Sequence, residues 1–276
     1  MEIRPISESL GAEILGVDFA AGIDDGTFAR IREAFHEHGV IVIRDQTLTP
    51  DQHLAAARRF GAINVNRFFT PVAGYPEVAE VRKEPDQERN IGSNWHTDHS
   101  YDEVPALGSM LYALELPPAG GDTLFTNLGL AWETLSDGLK SVLAKLRAVH
   151  SSRHVFGPAR MADPDLRARF RNAEQAVQDA VHPVVIRHPE TGRRVLYVNP
   201  SFTVRFDGWT REESKPMLDW LFDHAVRPEF GCRVRWRKGS LALWDNRATW
   251  HMALNDYPGH RRLMHRVTIE GTRLSA

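Results

Sequence analysis

Apolar positions recur along this chain with two different periods, and the switches between them mark its elements. Phe28, Ile31 and Phe35 fall at helical spacing, and Gly39 is a natural stop, so a helix is predicted over Asp25–His38. Val40–Ile43 follows as a run of four apolar residues and reads as a buried strand. Thr49-Pro50-Asp51-Gln52 has the capping-box pattern with proline at the first helical position, opening a helix that runs to about Phe60 and stops at Gly61. Leu139, Val142, Leu143 and Leu146 form one stripe, predicting a core-packed helix over Ser136–Leu146. Thr210-Arg211-Glu212-Glu213 is a second capping box and opens a helix to about Ala225.

The remaining segments read as strands and turns. Gly11–Val17 is an early strand. Val184–His188 and Arg194–Val198 flank the turn Pro189-Glu190-Thr191-Gly192 and predict a hairpin. Cys232–Arg237 alternates Cys232, Val234 and Trp236 with three arginines, a strand with one buried face and one solvated face. Lys238-Gly239-Ser240 turns the chain into Leu241–Trp244, and Arg262–Glu270 is the last strand. This mixture of α and β around a mainly β core suits a jelly-roll barrel with helices outside, although the pattern alone permits other mixed folds. Loops between about Asn64 and Arg89, and between Val155 and Asp179, are expected to act as lids.

Composition narrows the functional classes. A chain of 276 residues has room for one large domain or two small ones. Its formal net charge is −2, so no basic excess points to nucleic acid. A single cysteine, Cys232, excludes an intramolecular disulfide and a cysteine-based metal cluster, and fits a reducing cytoplasm. No apolar run approaches the roughly 20 residues of a membrane helix, and the N-terminal segment lacks a signal-peptide core. A cytoplasmic protein without a membrane or nucleic-acid partner is expected.

The chemistry concentrates in two motifs. In Trp95-His96-Thr97-Asp98, residues two apart share one face of an extended strand, so His96 and Asp98 point the same way. Downstream, Trp244-Asp245-Asn246-Arg247 precedes His251, the best candidate for a third ligand. Two imidazoles and a carboxylate with other positions open suit a mononuclear non-haem Fe(II) centre. With thirteen histidines in the chain, rivals exist. His99 faces the other way on a regular strand and reads as structural. His265 alternates away from Arg262 and Arg266 and reads as packed.

These motifs together resemble those of the taurine/2,4-D dioxygenase family of Fe(II)- and 2-oxoglutarate-dependent oxygenases. Trp95–Asp98, Pro117–Thr123, Val198-Asn199, Trp244–Arg247 and Arg262–Arg266 occur in the family's order, and the likeness runs from about Gly11 to Gly271. The resemblance implies a double-stranded β-helix within a single domain over 1–276, with a helical lid insertion at about 127–180. It implies Fe(II) held by His96, Asp98 and His251, with 2-oxoglutarate and O2 as cosubstrates. Arg262 matches the residue that binds the far carboxylate of 2-oxoglutarate, and Thr123 the hydroxyl beside it. Arginine suits that role because its planar fork binds carboxylate bidentately.

Arg266 lies four residues beyond Arg262 on the same strand face, about 13 Å along it. It matches the arginine that receives the substrate's anionic group, so the resemblance implies a small anionic substrate: a sulfonate, sulfate ester or aryloxyalkanoate. Hydroxylation would accompany decarboxylation of 2-oxoglutarate to succinate and CO2. The carbon attacked in such enzymes often carries a leaving heteroatom, so the product can collapse to a carbonyl compound. Asn66 and Phe69 stand where taurine enzymes place a histidine and a tyrosine, which weakens a taurine assignment. Val149-His150-Ser151 and Val155-Phe156-Gly157 are closer to phenoxypropionate enzymes, whereas Arg262–Val267 is closer to taurine and alkylsulfate enzymes. Phe68, Phe69, Tyr101, Phe156 and Phe202 are candidates for an apolar substrate pocket. Taurine dioxygenase proper, a Zn- or Mn-dependent hydrolase or isomerase, and a non-catalytic binding protein stand as alternatives. A homo-oligomer, dimer or tetramer, is common among such relatives and is expected here.

Overall fold

The run Val40–Ile43 is buried on both faces, and the two faces meet different layers. Ile41 and Ile43 pack with Ile31, Phe35, Leu54 and Ala57 of two covering helices. Val40 and Val42 pack with Phe125, Cys232 and Val234 of an opposing sheet. Alternation with period two, covered on both sides, is why the sequence shows an unbroken apolar run here. The computed structural model describes residues 1–167 and 169–276. Position 168, within the segment expected as a second lid, lies outside them.

The large sheet has nine strands. Glu2–Pro5, Ala12–Leu15, Val40–Ile43, Leu241–Asp245, Gly108–Glu115, Arg262–Ile269, Tyr75–Lys83 and Pro71–Val72 are neighbours in that order, and Ile63–Asn64 also pairs with Arg262–Ile269. A three-stranded antiparallel sheet of Gly231–Val234, Thr123–Asn127 and Thr249–Ala253 packs against it. The fold is therefore mixed α and β with a large β core. The strand Arg262–Ile269 reads the two layers out in turn: Met264 belongs to the inter-sheet core, while Val267 and Ile269 face the helices. By the same alternation Arg262 and Arg266 project between the sheets, and His265 lies on the helix side, half-buried as a packing residue.

The helices follow their caps. Asp25–His38 is capped by Asp24 and ended by Gly39 at φ 66°, a left-handed conformation that glycine adopts without strain. Both capping boxes, at Thr49 and Thr210, are formed. The helix predicted over Ser136–Leu146 is shorter, Asp137–Leu143, and Val142 is 45% exposed rather than part of a buried stripe. Residues 144–146 instead turn the chain into the strand Arg147–Ser151, which pairs with Asp179–Pro183 and Thr203–Phe206. The segment 127–180, expected to be helical, is thus part strand. The early strand spans Ala12–Leu15. The arginine-rich strand spans only Gly231–Val234, and Arg233 is paired with Asp122 at 2.6 Å rather than simply solvated. The hairpin is present as Val185–Arg187 paired with Arg194–Leu196. No helix among the described residues is long and apolar enough to cross a membrane.

Candidate active site

Between the sheets lies a cavity of about 160 Å³. His96, Asp98 and His251 meet on its wall, with one ligand atom from each lying within 4.8 Å of the others. His96 and His251 are joined by a reciprocal backbone pair, N–H to carbonyl at 3.1 and 2.8 Å. That single bridge, and not a regular strand, brings the two motifs together across 155 positions of sequence. After it the chain turns at once.

The ring orientations follow from hydrogen bonds. His96 Nδ1 donates to the Asn94 carbonyl at 2.8 Å, which leaves the Nε2 lone pair for the cavity. Its Nε2 lies 3.8 Å from Asp98 Oδ1, and His251 Nε2 lies 4.0 Å from Asp98 Oδ2. Gly92, at φ 80°, packs against the His96 ring: a Cβ there would come within 3.2 Å of Cε1. Burial holds both imidazoles below their ordinary pKa, so they are neutral at pH 7 and free to ligate. Burial alone would raise the pKa of Asp98, but the charge of the adjacent Arg266, foremost, outweighs it and holds the carboxylate ionised.

The turn Asn246–Ala248 carries the chain from one sheet to the other and cradles this segment. The Asn246 side-chain oxygen accepts from Trp244 Nε1 at 2.9 Å and from the Asp98 backbone N–H at 3.4 Å. Its carbonyl accepts from the Thr97 hydroxyl. Ser109 Oγ donates to Asp98 Oδ2 at 2.7 Å, and Arg266 Nη1 donates to Oδ1 at 3.2 Å. Nothing in the sequence singled out Ser109; the strand pairing of Gly108–Glu115 places it.

Arg262 and Arg266 line the same cavity, 5% and 6% exposed. They differ in how they are partnered. Arg262 has buried Nε and Nη2 with no hydrogen-bond acceptor, and its Cζ lies over the Trp236 ring, 5.8 Å from the centroid. Burial lowers its pKa from the ordinary arginine value, against Tyr257 and Asp122. Thr123 also lines the cavity; its oxygen accepts from Trp236 Nε1 at 2.9 Å, which leaves its own proton free to donate. Arg266 is engaged with Asp98 and lies 4.3 Å over the Phe69 ring, with Nε unpaired.

The structure gathers Asn66, Phe69, Tyr101, Phe156 and Phe202 on this cavity as well. Phe68 does not line it: fully buried, it stacks behind Phe156 at 4.4 Å. Among the lining residues not anticipated from the sequence, two are polar groups of note. Arg160, exposed on a short turn of helix, lies at the edge of the cavity. His99 was expected to face away from Asp98. Instead its backbone takes φ 59°, the chain reverses, and its side chain returns to the cavity wall. No signal in the sequence announces this, because a left-handed histidine is uncommon.

Residues 2–268 match the family described as taurine catabolism dioxygenase TauD, TfdA family. The alpha-ketoglutarate-dependent sulfate ester dioxygenase of Pseudomonas putida is 32% identical over 98% of this chain and 90% of its own length. The alpha-ketoglutarate-dependent 2,4-dichlorophenoxyacetate dioxygenase of Cupriavidus pinatubonensis is 31% identical over 97% of each chain. Among solved structures, a taurine dioxygenase from Burkholderia xenovorans superposes with a TM-score of 0.84 at 38% identity, covering 100% of this chain and 92% of its own.

Proposed function

The chain belongs to the TauD/TfdA family and is a 2-oxoglutarate-dependent dioxygenase, and from that premise we propose that it hydroxylates a small anion, namely a sulfate ester, sulfonate or aryloxyalkanoate. The observation that carries this reading is the pair of buried arginines on one strand face, flanking the three-residue cluster in a single cavity. Each cation has its own task. Arg262, with two buried donors unpaired, is left for the far carboxylate of 2-oxoglutarate, with the Thr123 hydroxyl beside it. Arg266 offers its free Nε to the substrate anion.

Two neutral imidazoles and an ionised carboxylate fit a divalent iron, and His96, Asp98 and His251 would hold it. Bound there with 2-oxoglutarate and O2, iron supplies the oxidation of a substrate C–H bond as 2-oxoglutarate yields succinate and CO2. The chain's own residues supply position. The reciprocal backbone pair fixes the two imidazoles, Ser109 and Arg266 fix the carboxylate, and Phe69, Phe156 and Phe202 exclude water around the substrate body. In this reading the two facing sheets form a double-stranded β-helix, with the segment around Arg153–Arg167 as its lid. A hydrolase or isomerase using zinc or manganese would have no use for the unpaired guanidinium of Arg262.

Succinate formation with Fe(II), 2-oxoglutarate and O2 across alkyl sulfates, alkylsulfonates and aryloxypropionates tests the reading, with His96→Ala as control. Substrate-stimulated succinate that vanishes in the control is the expected outcome. Absence of stimulation by every acid would overturn the anionic-substrate assignment.

A further inference from the structure

The left-handed turn at His99 builds a chain of side chains that reaches the cavity. His99 is 2% exposed and bonded at both nitrogens: Nδ1 lies 2.9 Å from Asp102 Oδ2 and Nε2 lies 3.1 Å from Asn66 Nδ2. Asp102 Oδ1 accepts from Arg67 Nη1 at 2.8 Å. The Asn66 side-chain oxygen accepts from the backbone N–H groups of Phe68 and Phe69, both at 3.0 Å.

These bonds fix every donor and acceptor. Two N–H groups point at one Asn66 atom, so that atom is the oxygen, and the other is the NH2 group. An NH2 group can only donate, so His99 Nε2 must accept. A neutral imidazole accepting at Nε2 carries its proton on Nδ1, where Asp102 receives it. Asn66 Nδ2 spends one N–H on His99 and keeps a second, in a residue that lines the cavity. Nearby, Tyr101 also lines the cavity.

The charge around this wall is predominantly positive. The lining includes three arginines, Arg160, Arg262 and Arg266, and Asp98 is the only carboxylate among the described residues that line it. Asp98 is already committed to Ser109, Arg266 and the metal cluster. No uncommitted carboxylate remains among the described lining residues for a substrate ammonium; an unpaired neutral acceptor there is Asn90 Oδ1, away from Asn66 in sequence.

We propose that His99, with Asp102 and Arg67, is a positioning residue that locks the Asn66 amide as a donor toward the cavity, so that the substrate must present an acceptor there and an ammonium is refused. This deepens the anionic-substrate reading, on which it rests: the substrate class is an acid whose body carries ether, ester or oxyanion oxygens and no amine. Aminoalkanesulfonates such as taurine fall outside it.

The test uses iron-loaded protein with 2-oxoglutarate under anaerobic conditions, following the visible band of that complex during titration. The probes are hexyl sulfate, hexanesulfonate and 6-aminohexanesulfonate; the two sulfonates differ only in a terminal ammonium. Hexanesulfonate is expected to bind at least about tenfold more tightly than its amino analogue, the cost of leaving a buried polar group unpaired. His99→Leu should weaken hexyl sulfate by a similar factor without altering affinity for 2-oxoglutarate. His99→Gln, able to accept from Asn66 and donate to Asp102, should recover most of the loss. Asn66→Asp keeps the backbone bonds but replaces the donor by an acceptor, and should narrow the gap between the sulfonates even if His99→Leu fails to fold. Equal binding of the two sulfonates by wild type would overturn the proposal while leaving the dioxygenase reading intact. Failure of every acid to stimulate succinate would instead remove the reading on which it rests.

Discussion

Two clusters built from the same side chains sit on either side of the motif Trp244-Asp245-Asn246-Arg247. One is the candidate metal-ligand group His96, Asp98 and His251 with its arginines. The other joins Asp245, Arg247, His188 and Glu190 at the outer edge of the sheets. In the second cluster the strong hydrogen-bonding groups are engaged. Asp245 accepts from Arg247 Nε at 2.9 Å and Nη2 at 2.7 Å, and from His188 Nε2 at 2.9 Å. Arg247 also reaches Glu190 at 2.7 Å, and His188 Nδ1 accepts from the Thr191 N–H at 3.2 Å. Burial opposes ionisation of Asp245, but Arg247 outweighs it and holds the carboxyl below the usual carboxylate range.

The first cluster is conspicuously incomplete. His251 Nδ1, Arg266 Nε and two nitrogens of Arg262 are buried without partners. An unpaired buried donor costs stability unless something fills it. Residue type and burial do not distinguish these two clusters; saturation does. The scaffold cluster has spent its bonds, whereas the cavity cluster leaves several nitrogens unpaired, which under the proposed function receive a carboxylate and a substrate anion.

The contrast breaks hardest by paired substitution. His251→Ala is expected to abolish substrate-stimulated succinate and high-affinity iron binding while leaving the thermal midpoint near wild type. Arg247→Met strands Asp245 and Glu190 and is expected to cost about 3–5 kcal/mol of stability. Urea denaturation and iron titration on both variants would decide it; equal destabilisation by the two would erase the distinction.

A smaller effect is expected at Arg262. Arg262→Met removes unpaired donors from the empty cavity, so the metal-free protein should be no less stable. The KM for 2-oxoglutarate should rise roughly 10- to 100-fold, the worth of a charge-assisted bond lost from a buried site. A destabilised variant with unchanged KM would make Arg262 a scaffold residue like Arg247.

The smallest effect concerns a buried imidazole that belongs to neither cluster. His53 is 1% exposed with neither nitrogen paired, and burial pushes its pKa down from 6.5 to about 3. The unfolded chain therefore binds this proton more readily than the fold does. Its share of stability is complete above pH 6.5 and is lost as the pH falls toward 3. In that window His53→Leu should reduce the slope of unfolding free energy against pH by up to about 1.4 kcal/mol per unit. An unchanged slope would show that His53 is hydrated or paired in solution.

Local chemistry made much of this readable in advance. Both capping boxes, the stop at Gly39 and the buried run Val40–Ile43 depend on residues within one or two turns of each other, and each formed as expected. The helix at Ser136–Leu146 misled because apolar spacing does not say where a helix must stop for the chain to turn; residues 144–146 form the turn that leads into the strand Arg147–Ser151. The alternation of Arg262, Met264 and Arg266 placed both arginines on one face, since that follows from the pleat alone.

The residue types at the site, two histidines, an aspartate and two arginines in a family order, were thus a property of the sequence, fixed by short-range spacing and motif chemistry. Their partnering was not. Ser109 on Asp98, Asn246 beneath it, and the turn that brings His99 back to Asn66 join residues as much as 148 positions apart. Hydrogen bonds across such distances exist only once the two sheets have closed on each other, because no local propensity encodes which distant donor will meet which acceptor. That closure alone decided which buried groups are saturated and which are left unpaired.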